Sequence, residues 1–476
     1  MTPLDLWYLP PGLSALIPRP LLPILGEGEI DPRDPGAEGG LRRLAVSPEL
    51  VCAAVAALDG AAPRLRNMPV CEIVAAIDRA LACWREPGDP GRAALLEHGP
   101  ALTGYSRETL AYAIDHMLPE FGEHGLRRLL TAELGDPAAL DGFVTSENGP
   151  RHMARGPGRQ VHVFAGTVPT VPVFSLICGL LLKSPVLAKP SSHDPLIPAV
   201  FAQLLARVEP RLAGALAVLP WSGGDEPLER EALAGAGAVI VYGSAETVAT
   251  YRAMTPATTR FVGYGHALSV AAIAREALTA GAATETARRL AWDVALFDQR
   301  GCLSPQFALL ERGGETAPEA FCELLGAELD GLRSRLPRGP LDAAGHARVR
   351  AVREAVRFRA AVEPGVRLWE SAGSTDWTVL LLPRLDPGSG GEHRAIAVVP
   401  ADDLAAALPA ACAGLSISCI GLAATPQRTR TLEPVLSRLA TRICPLGRMQ
   451  EPPITWRHDG RPNLSDLTTW VEIEGG

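Results

Sequence analysis

From Val161 onward, apolar residues fall into short unbroken runs separated by stretches of helical period. VHVFAG (161–166), VLAKPS (186–191), ALAVLP (215–220) and AVIVYG (238–243) read as strands, while 168–182, 195–208, an acidic stretch from Glu226, and 245–254 read as helices. Strands that are apolar without alternation are covered on both faces. The pattern therefore predicts a parallel, doubly wound sheet, a fold that binds nucleotides at the carboxyl ends of its strands. A second alternating region follows, with strands at 307–311, 378–383, 395–400 and 416–424 and helices at 317–335, 342–363 and 402–415. The helix over 342–363 is strongly charged on one face.

Ahead of Val161 the period is helical: Leu50, Val51, Ala54 and Val55, then Ile73, Ile77 and Leu81, then Leu110, Ile114 and Leu118 behind Ser106 as N-cap, and a further helix around 126–134. Residues 1–45, with GEGEIDPRDPGAEGG, read as a flexible or loosely packed segment, Gly142 to Gly158 with Asn148-Gly-Pro as an element junction, and PGSGGEH (387–393) as a loop. The tail from Arg448 is mixed in character, with a turn at Asp459-Gly460. The expected division is a nucleotide-binding domain over 46–270 with its N-terminal helices, an α/β domain over 271–445, and a C-terminal segment, 446–476, that packs back or serves oligomerisation.

Composition narrows the function classes. The chain has 476 residues, 47% hydrophobic and 21% charged, with a formal net charge of −8, so large buried cores are available and nucleic acid is an unsuitable partner. Its longest apolar run, Val168 to Leu182, is broken by Pro169 and Pro172 and ends at Lys183, short of the ~20 residues of a membrane span. The N-terminus lacks the basic start of a signal peptide. Nine cysteines, an odd number without a CxxC pair, describe a reduced, cytoplasmic protein with no zinc framework and no expected metal site.

Candidate chemistry centres on DQRGCLSPQ, residues 298–306, where an amphipathic segment (284–296) gives way through a glycine to a strand. Cys302 is presented there as a nucleophile would be. A free thiol is only about 3% thiolate at pH 7, and Arg300 could raise that share; plain packing is the competing reading of any one cysteine. Two strand ends suit a dinucleotide. Gly243 and Ser244 open a helix whose first N–H groups favour a pyrophosphate, and Lys189-Pro190-Ser191-Ser192 sets a cation beside two hydroxyls. An ordinary turn would look the same in either place.

In their order, AGTVPTVP, VLAKPSS, VYGSAET, VGYGHALSV, DQRGCLSPQ, RAIAVVP and GRMQEPPITWRHDG resemble the aldehyde dehydrogenase superfamily, and within it the LuxC-type acyl-CoA reductases. The resemblance covers about 105–476. It implies a Rossmann-like cofactor domain, a catalytic α/β domain and a small oligomerisation element. Cys302 matches the nucleophile, Lys189 the lysine on the adenosine ribose, and Gly243 and Ser244 the pyrophosphate turn.

Departures from the family pattern refine the expectation. The glutamate that serves oxidising members as general base is replaced at about Val262, and no Asp or Glu occurs from Thr247 to Arg275. A thioacyl-enzyme would then outlive hydrolysis and accept hydride. Thr167 stands where hydrolytic members carry an asparagine for the oxyanion, leaving more of that task to the Cys302 N–H. Ser192 replaces an acidic residue common in NAD-preferring members, which favours NADPH over NADH. The family's Glu-x-Phe-Gly-Pro segment is missing between 364 and 400. His266 reads as a proton donor, a cofactor contact or a turn residue; His458 reads as structural, and Trp377 as core or pocket wall.

The expectation is NADPH-dependent reduction of an acyl-CoA or carrier-bound acyl thioester to aldehyde through a thioacyl-Cys302 intermediate. On family grounds it would proceed in a homodimer or homotetramer that works with an acyl-activating synthetase. A hydrolytic aldehyde dehydrogenase and a catalytically silent scaffold are the competing readings.

Overall fold

In the computed structural model, residues 4–17, 22–24, 41–145, 149–385 and 391–474 are described. GEGEIDPRDPGAEGG, Asn148 and most of the PGSGGEH loop lie outside them. The chain forms two compact units: Met1–Thr103 with Leu110–Gly265 and Pro453–Gly476, and Gly104–Thr109 with His266–Pro452. Its main passage from one to the other falls within the GYGHALS segment.

The first unit is built on a five-stranded parallel sheet of β1 (Gln160–Val163), β2 (Val186–Lys189), β3 (Leu216–Val218), β4 (Ala238–Tyr242) and β5 (Arg260–Tyr264). The spatial order is β5-β4-β1-β2-β3, so the winding reverses between β1 and β4, where such sheets open a ligand crevice at their carboxyl edge. Val161, Val163, Leu187, Ala217, Val239 and Val241 are buried in one cluster with Leu50, Val51, Ala54 and Leu58 of the Pro48–Asn67 helix. Against the sheet also lies the Thr170–Leu181 helix. A Cβ on its Gly179 would come within 2.4 Å of the Val186 side chain, so glycine sets how closely helix and strand approach.

Of the first 45 residues, Leu6 and Trp7 are buried, and Tyr8 and Val218 exchange backbone hydrogen bonds of 2.9 and 2.7 Å along β3. The Gly142 to Gly158 stretch, read as a junction, contributes Val144–Thr145 and Arg151–Arg155 to a small antiparallel sheet completed by Thr469–Ile473. Glu133 fastens the same tail: its carboxylate accepts the backbone N–H groups of Asn463 (2.8 Å), Leu464 (2.6 Å) and Ser465 (3.0 Å).

The second unit carries a seven-stranded sheet of β6 (Leu268–Ile273), β7 (Pro305–Glu311), β8 (Arg367–Glu370), β9 (Thr378–Leu381), β10 (Ala395–Ala401), β11 (Ile417–Ala423) and β12 (Ala440–Pro445). The order is β8-β9-β10-β7-β6-β11-β12, parallel except for the edge strand β8. Val270, Leu309, Leu380, Ala397 and Ile420 are buried with Leu404, Leu408, Leu432 and Leu436 from flanking helices. The helix expected over 402–415 is shorter, Leu404–Ala411: Asp403 caps its start by accepting from the Ala405 N–H, and it closes at Cys412 just before Gly414 turns left-handed at φ 76°.

Candidate active site

The Ala283–Ala295 helix ends on the turn that carries Cys302. Phe297, Asp298 and Gln299 all lie in the left-handed region, at φ 59°, 52° and 64°. For residues other than glycine this costs on the order of 1–3 kcal/mol each, so surrounding structure must hold the turn. Each residue is held separately. Phe297 is fully buried and meets the Tyr105 ring edge-on at 5.7 Å. The Asp298 carboxylate takes Arg394 Nε at 2.7 Å and the Gly339 N–H at 3.0 Å. The Gln299 amide donates to the carbonyls of Pro305 (2.8 Å) and Ala395 (3.2 Å).

Beyond these three residues the chain turns once more, with Ser304 N–H on the Gly301 carbonyl at 3.0 Å, and leaves Cys302 partly exposed. The Ser269 hydroxyl donates to the Cys302 carbonyl at 2.7 Å, which orients the peptide plane behind the thiol. Gln450 reaches the Ser304 hydroxyl and, at 3.4 Å, the Asp293 carbonyl. Asp293 is fully buried and accepts the N–H groups of Gly447 and Met449; burial pushes its carboxyl well above the usual range, against those hydrogen bonds. Arg300, expected to act on the thiol, lies with its guanidinium 4.3 Å from the centre of the Tyr105 ring. His266 is exposed between β5 and β6 and makes no hydrogen bond or ion pair among the described residues. Trp377 is core: its indole N–H donates to Asp330 at 3.1 Å.

In the first unit the sequence-derived cofactor residues gather at the carboxyl edge of the parallel sheet. Lys189 ends β2, 7% exposed, with its ammonium 5.8 Å from the Trp221 ring centre. Burial holds that ammonium below its ordinary value, and Glu229 pulls the other way. Glu229, itself 2% exposed, accepts from the Tyr251 hydroxyl at 2.9 Å and from the Gly224 N–H at 3.2 Å. Neither Trp221 nor Glu229 was singled out in the sequence, although Glu229 shares a helix face with the buried Ala232 and Leu233.

Gly166, at φ 71°, precedes the exposed Thr167; a Cβ there would stand 2.8 Å from that of Ser191, so β1 and β2 bring these loops together only through glycine. Ser191 accepts from the His193 N–H at 3.1 Å, and Ser192 is exposed. Ser244 caps the Ala245–Met254 helix by accepting the Thr247 N–H at 3.1 Å. The Gly243 N–H is taken by the Tyr264 carbonyl at 3.1 Å, so donors for a pyrophosphate at this turn must come from the first N–H groups of the helix rather than from Gly243. A Cβ at Gly243 would stand 3.0 Å from the Thr247 side chain. A buried cation against an aromatic ring, beside a helix N-terminus and two tight glycines, fits a dinucleotide.

Val262, expected at about the place of the base of oxidising members, is 5% exposed and borders a cavity of about 20 Å³ with Phe174, Cys178, Tyr242 and Tyr264. Burial pushes the Cys178 thiol up, with Glu133 adding to it. His458 stacks on Tyr264 with ring centres 4.1 Å apart, and burial lowers its pKa against the pull of Asp459.

Among known proteins, the family model described as acyl-CoA reductase (LuxC) matches residues 65–470. Long-chain acyl-protein thioester reductase of Photorhabdus laumondii is 25% identical over 186 residues, 38% of either chain, and that of Vibrio harveyi 26% over 152 residues, 31% of either. The aligned stretch thus spans about two fifths of these relatives' length or less. Among solved structures, PnpE in complex with nicotinamide adenine dinucleotide superposes with a TM-score of 0.72 at 15% identity, covering 100% of this chain and 99% of that one. An NAD-dependent benzaldehyde dehydrogenase from Corynebacterium glutamicum gives 0.66 at 14%, covering 93% of each. The fold is that of the aldehyde dehydrogenases. Among the described residues no helix is long and apolar enough to cross a membrane.

Proposed function

The chain belongs to the acyl-CoA reductase (LuxC) family, and from that premise we propose that it reduces an acyl thioester to an aldehyde with Cys302 as nucleophile. The observation that carries the reading is the Cys302 turn: a partly exposed thiol behind three left-handed residues, each held by its own buried contact. Strain maintained by so many fixed groups is typical of a positioned reactive centre.

In this scheme the Cys302 thiolate attacks the thioester carbonyl, and the donor thiol leaves with the proton. The Cys302 N–H stabilises the oxyanion, with the Thr167 hydroxyl proposed as a second donor and His266 as the group that returns a proton. Ser269 fixes the Cys302–Leu303 peptide on the carboxyl side of the thiol, while the oxyanion forms at the N–H on its amino side. Burial of Val262 in place of a carboxylate leaves water unactivated, so the thioacyl group persists. A reduced nicotinamide, when bound, would supply hydride to the thioacyl carbon, and cleavage of its bond to sulfur would then free the aldehyde and return the Cys302 thiolate. Lys189, Ser191 and Ser192 would hold its adenosine end, and the Ser244-capped helix its pyrophosphate. An exposed serine at 192, with no carboxylate to repel a 2′-phosphate, supports NADPH over NADH.

The acyl group is proposed to arrive on coenzyme A, a carrier protein or a partner synthetase, since the relatives are named for acyl-protein thioesters. A cytoplasmic homodimer or homotetramer is proposed on family grounds. Intact-protein mass after mixing with acyl-CoAs of graded length, without and then with NADPH, tests the scheme. The expected result is one acyl mass that requires Cys302, disappears with NADPH and is replaced by aldehyde. An adduct equally present in Cys302→Ala, or no adduct from any acyl donor, would overturn it.

A further inference from the structure

The second unit contains an open cavity of about 420 Å³ that the scheme above does not use. One wall is the Ala343–Val362 helix, which presents Arg350, Arg353 and Arg357 at spacings of three and four, hence on one face. The other walls are β8 with Glu370 and the loops holding Arg338 and Asp376.

Its cations are incompletely neutralised. Glu370 is shared between Arg353, at 3.4 Å, and Arg357, which also pairs with Glu354. Asp376 pairs with Arg333 at 2.9 Å, outside the cavity lining, and lies 3.8 Å from Arg338. Arg350 has no hydrogen bond or ion pair among the described residues, and Arg353 beside it feels the like charges of both Arg350 and Arg357. The Arg338 side chain is only 5% exposed and donates through Nη2 to Thr375 at 3.0 Å, yet its buried Nε and Nη1 have no hydrogen-bond acceptor among the described residues. A buried guanidinium in that condition calls for an acceptor. Planar forks of N–H donors converging on one cavity suit phosphate oxygens, and the volume admits a nucleotide. Arg338 also runs directly into Gly339, whose N–H holds Asp298 in the Cys302 turn.

We propose that this cavity binds the phosphates of coenzyme A, the nucleotide end of an acyl-CoA whose thioester is delivered to Cys302. This rests on the thioester-reductase reading and adds a phosphate-recognition site on the unit that bears the nucleophile, apart from the cofactor residues of the first unit.

Titration calorimetry on the full chain tests it, in a Cys302→Ala background so that no chemistry follows binding. The probes are coenzyme A, adenosine 3′,5′-bisphosphate and pantetheine. Arg350 is exposed and unpaired, so Arg350→Ala should leave folding intact while weakening coenzyme A and the bisphosphate about tenfold, the loss of one charged hydrogen bond. Pantetheine affinity and NADPH affinity should not move, and Arg350→Lys should restore part of the loss. Coenzyme A affinity that ignores Arg350 and is abolished by saturating NADPH would place the nucleotide elsewhere and overturn the proposal. Inorganic phosphate binding as tightly as the bisphosphate would overturn it too, marking a general anion site. With acylation followed separately on the protein that keeps Cys302, the two readings fail separately: Arg350-dependent coenzyme A binding with no acylation of Cys302 keeps the site and removes the reductase, and unchanged acylation with Arg350-independent binding does the reverse.

Discussion

Arg394 and Asp298, 96 residues apart, form an almost fully buried ion pair, their side chains 2% and 6% exposed, that pins the turn carrying Cys302 to the loop before β10. Arg394 also donates to the Leu336 carbonyl at 2.9 Å, so one guanidinium ties three segments together. Removing one partner of such a pair strands the other charge. Arg394→Ala should therefore cost about 3–5 kcal/mol in denaturant unfolding and abolish acylation of Cys302. A loss below about 1 kcal/mol would mean that Phe297 and Gln299 hold the turn without it.

Ser269→Ala removes only the hydrogen bond to the Cys302 carbonyl. Stability should fall by about 1 kcal/mol, while the rate of acylation, followed by mass, falls severalfold. An unchanged rate would show that the peptide plane behind the thiol needs no tether.

Cofactor choice is proposed to turn on Ser192. Ser192→Asp should weaken NADPH about tenfold or more through repulsion of the 2′-phosphate and leave NADH nearly unaffected, as fluorescence titration of the two nucleotides would show. Equal weakening of both would remove Ser192 from the adenosine site. Lys189→Ala should weaken both nucleotides and leave acylation of Cys302 intact.

His162 gives a pH dependence of known sign. It is buried in β1, its ring between Gln160 Oε1 (2.9 Å) and the Ser175 hydroxyl (2.8 Å), and burial lowers its pKa to about 3. Because the unfolded chain takes up the proton near 6.5, the contribution of neutral His162 is complete above that pH. It declines by about 1.4 kcal/mol per unit as the pH falls toward 3. Urea midpoints at pH 7.5 and 5 should differ by more in the wild type than in His162→Gln; parallel shifts would show that His162 does not set the slope.

The sequence revealed most of the first sheet and the helix-to-strand position of Cys302, because apolar runs and a glycine break are local signals. It did not reveal β5, β6, β8 or β12. LSVAAI in β6 is a short apolar run that suits a helix as well, and only its place between β7 and β11 in the seven-stranded sheet makes it a strand. In β12, Arg442 looks like an exposed charge, whereas its guanidinium is buried on the carbonyls of Met449 (2.6 Å) and Arg448 (2.8 Å). The supports of the Cys302 turn were hidden for the same reason: Ser269, Arg394 and Gln450 lie 33 to 148 positions from it along the chain, and no periodicity links them. The charged face of 342–363 was visible, but its shared carboxylates and its cavity were not.

The pairing of Thr469–Ile473 with Arg151–Arg155, and the grip of Glu133 on residues 463–465, also bear on synthesis. On the ribosome, all five strands of the first sheet emerge about 200 residues before the tail that completes their unit, and His266–Pro452, the main part of the second unit, is made in between. Until then Arg151–Arg155 presents an open edge. A nascent or prematurely terminated chain would therefore hold a nearly finished first unit with an exposed strand, the state in which a chaperone has most to protect.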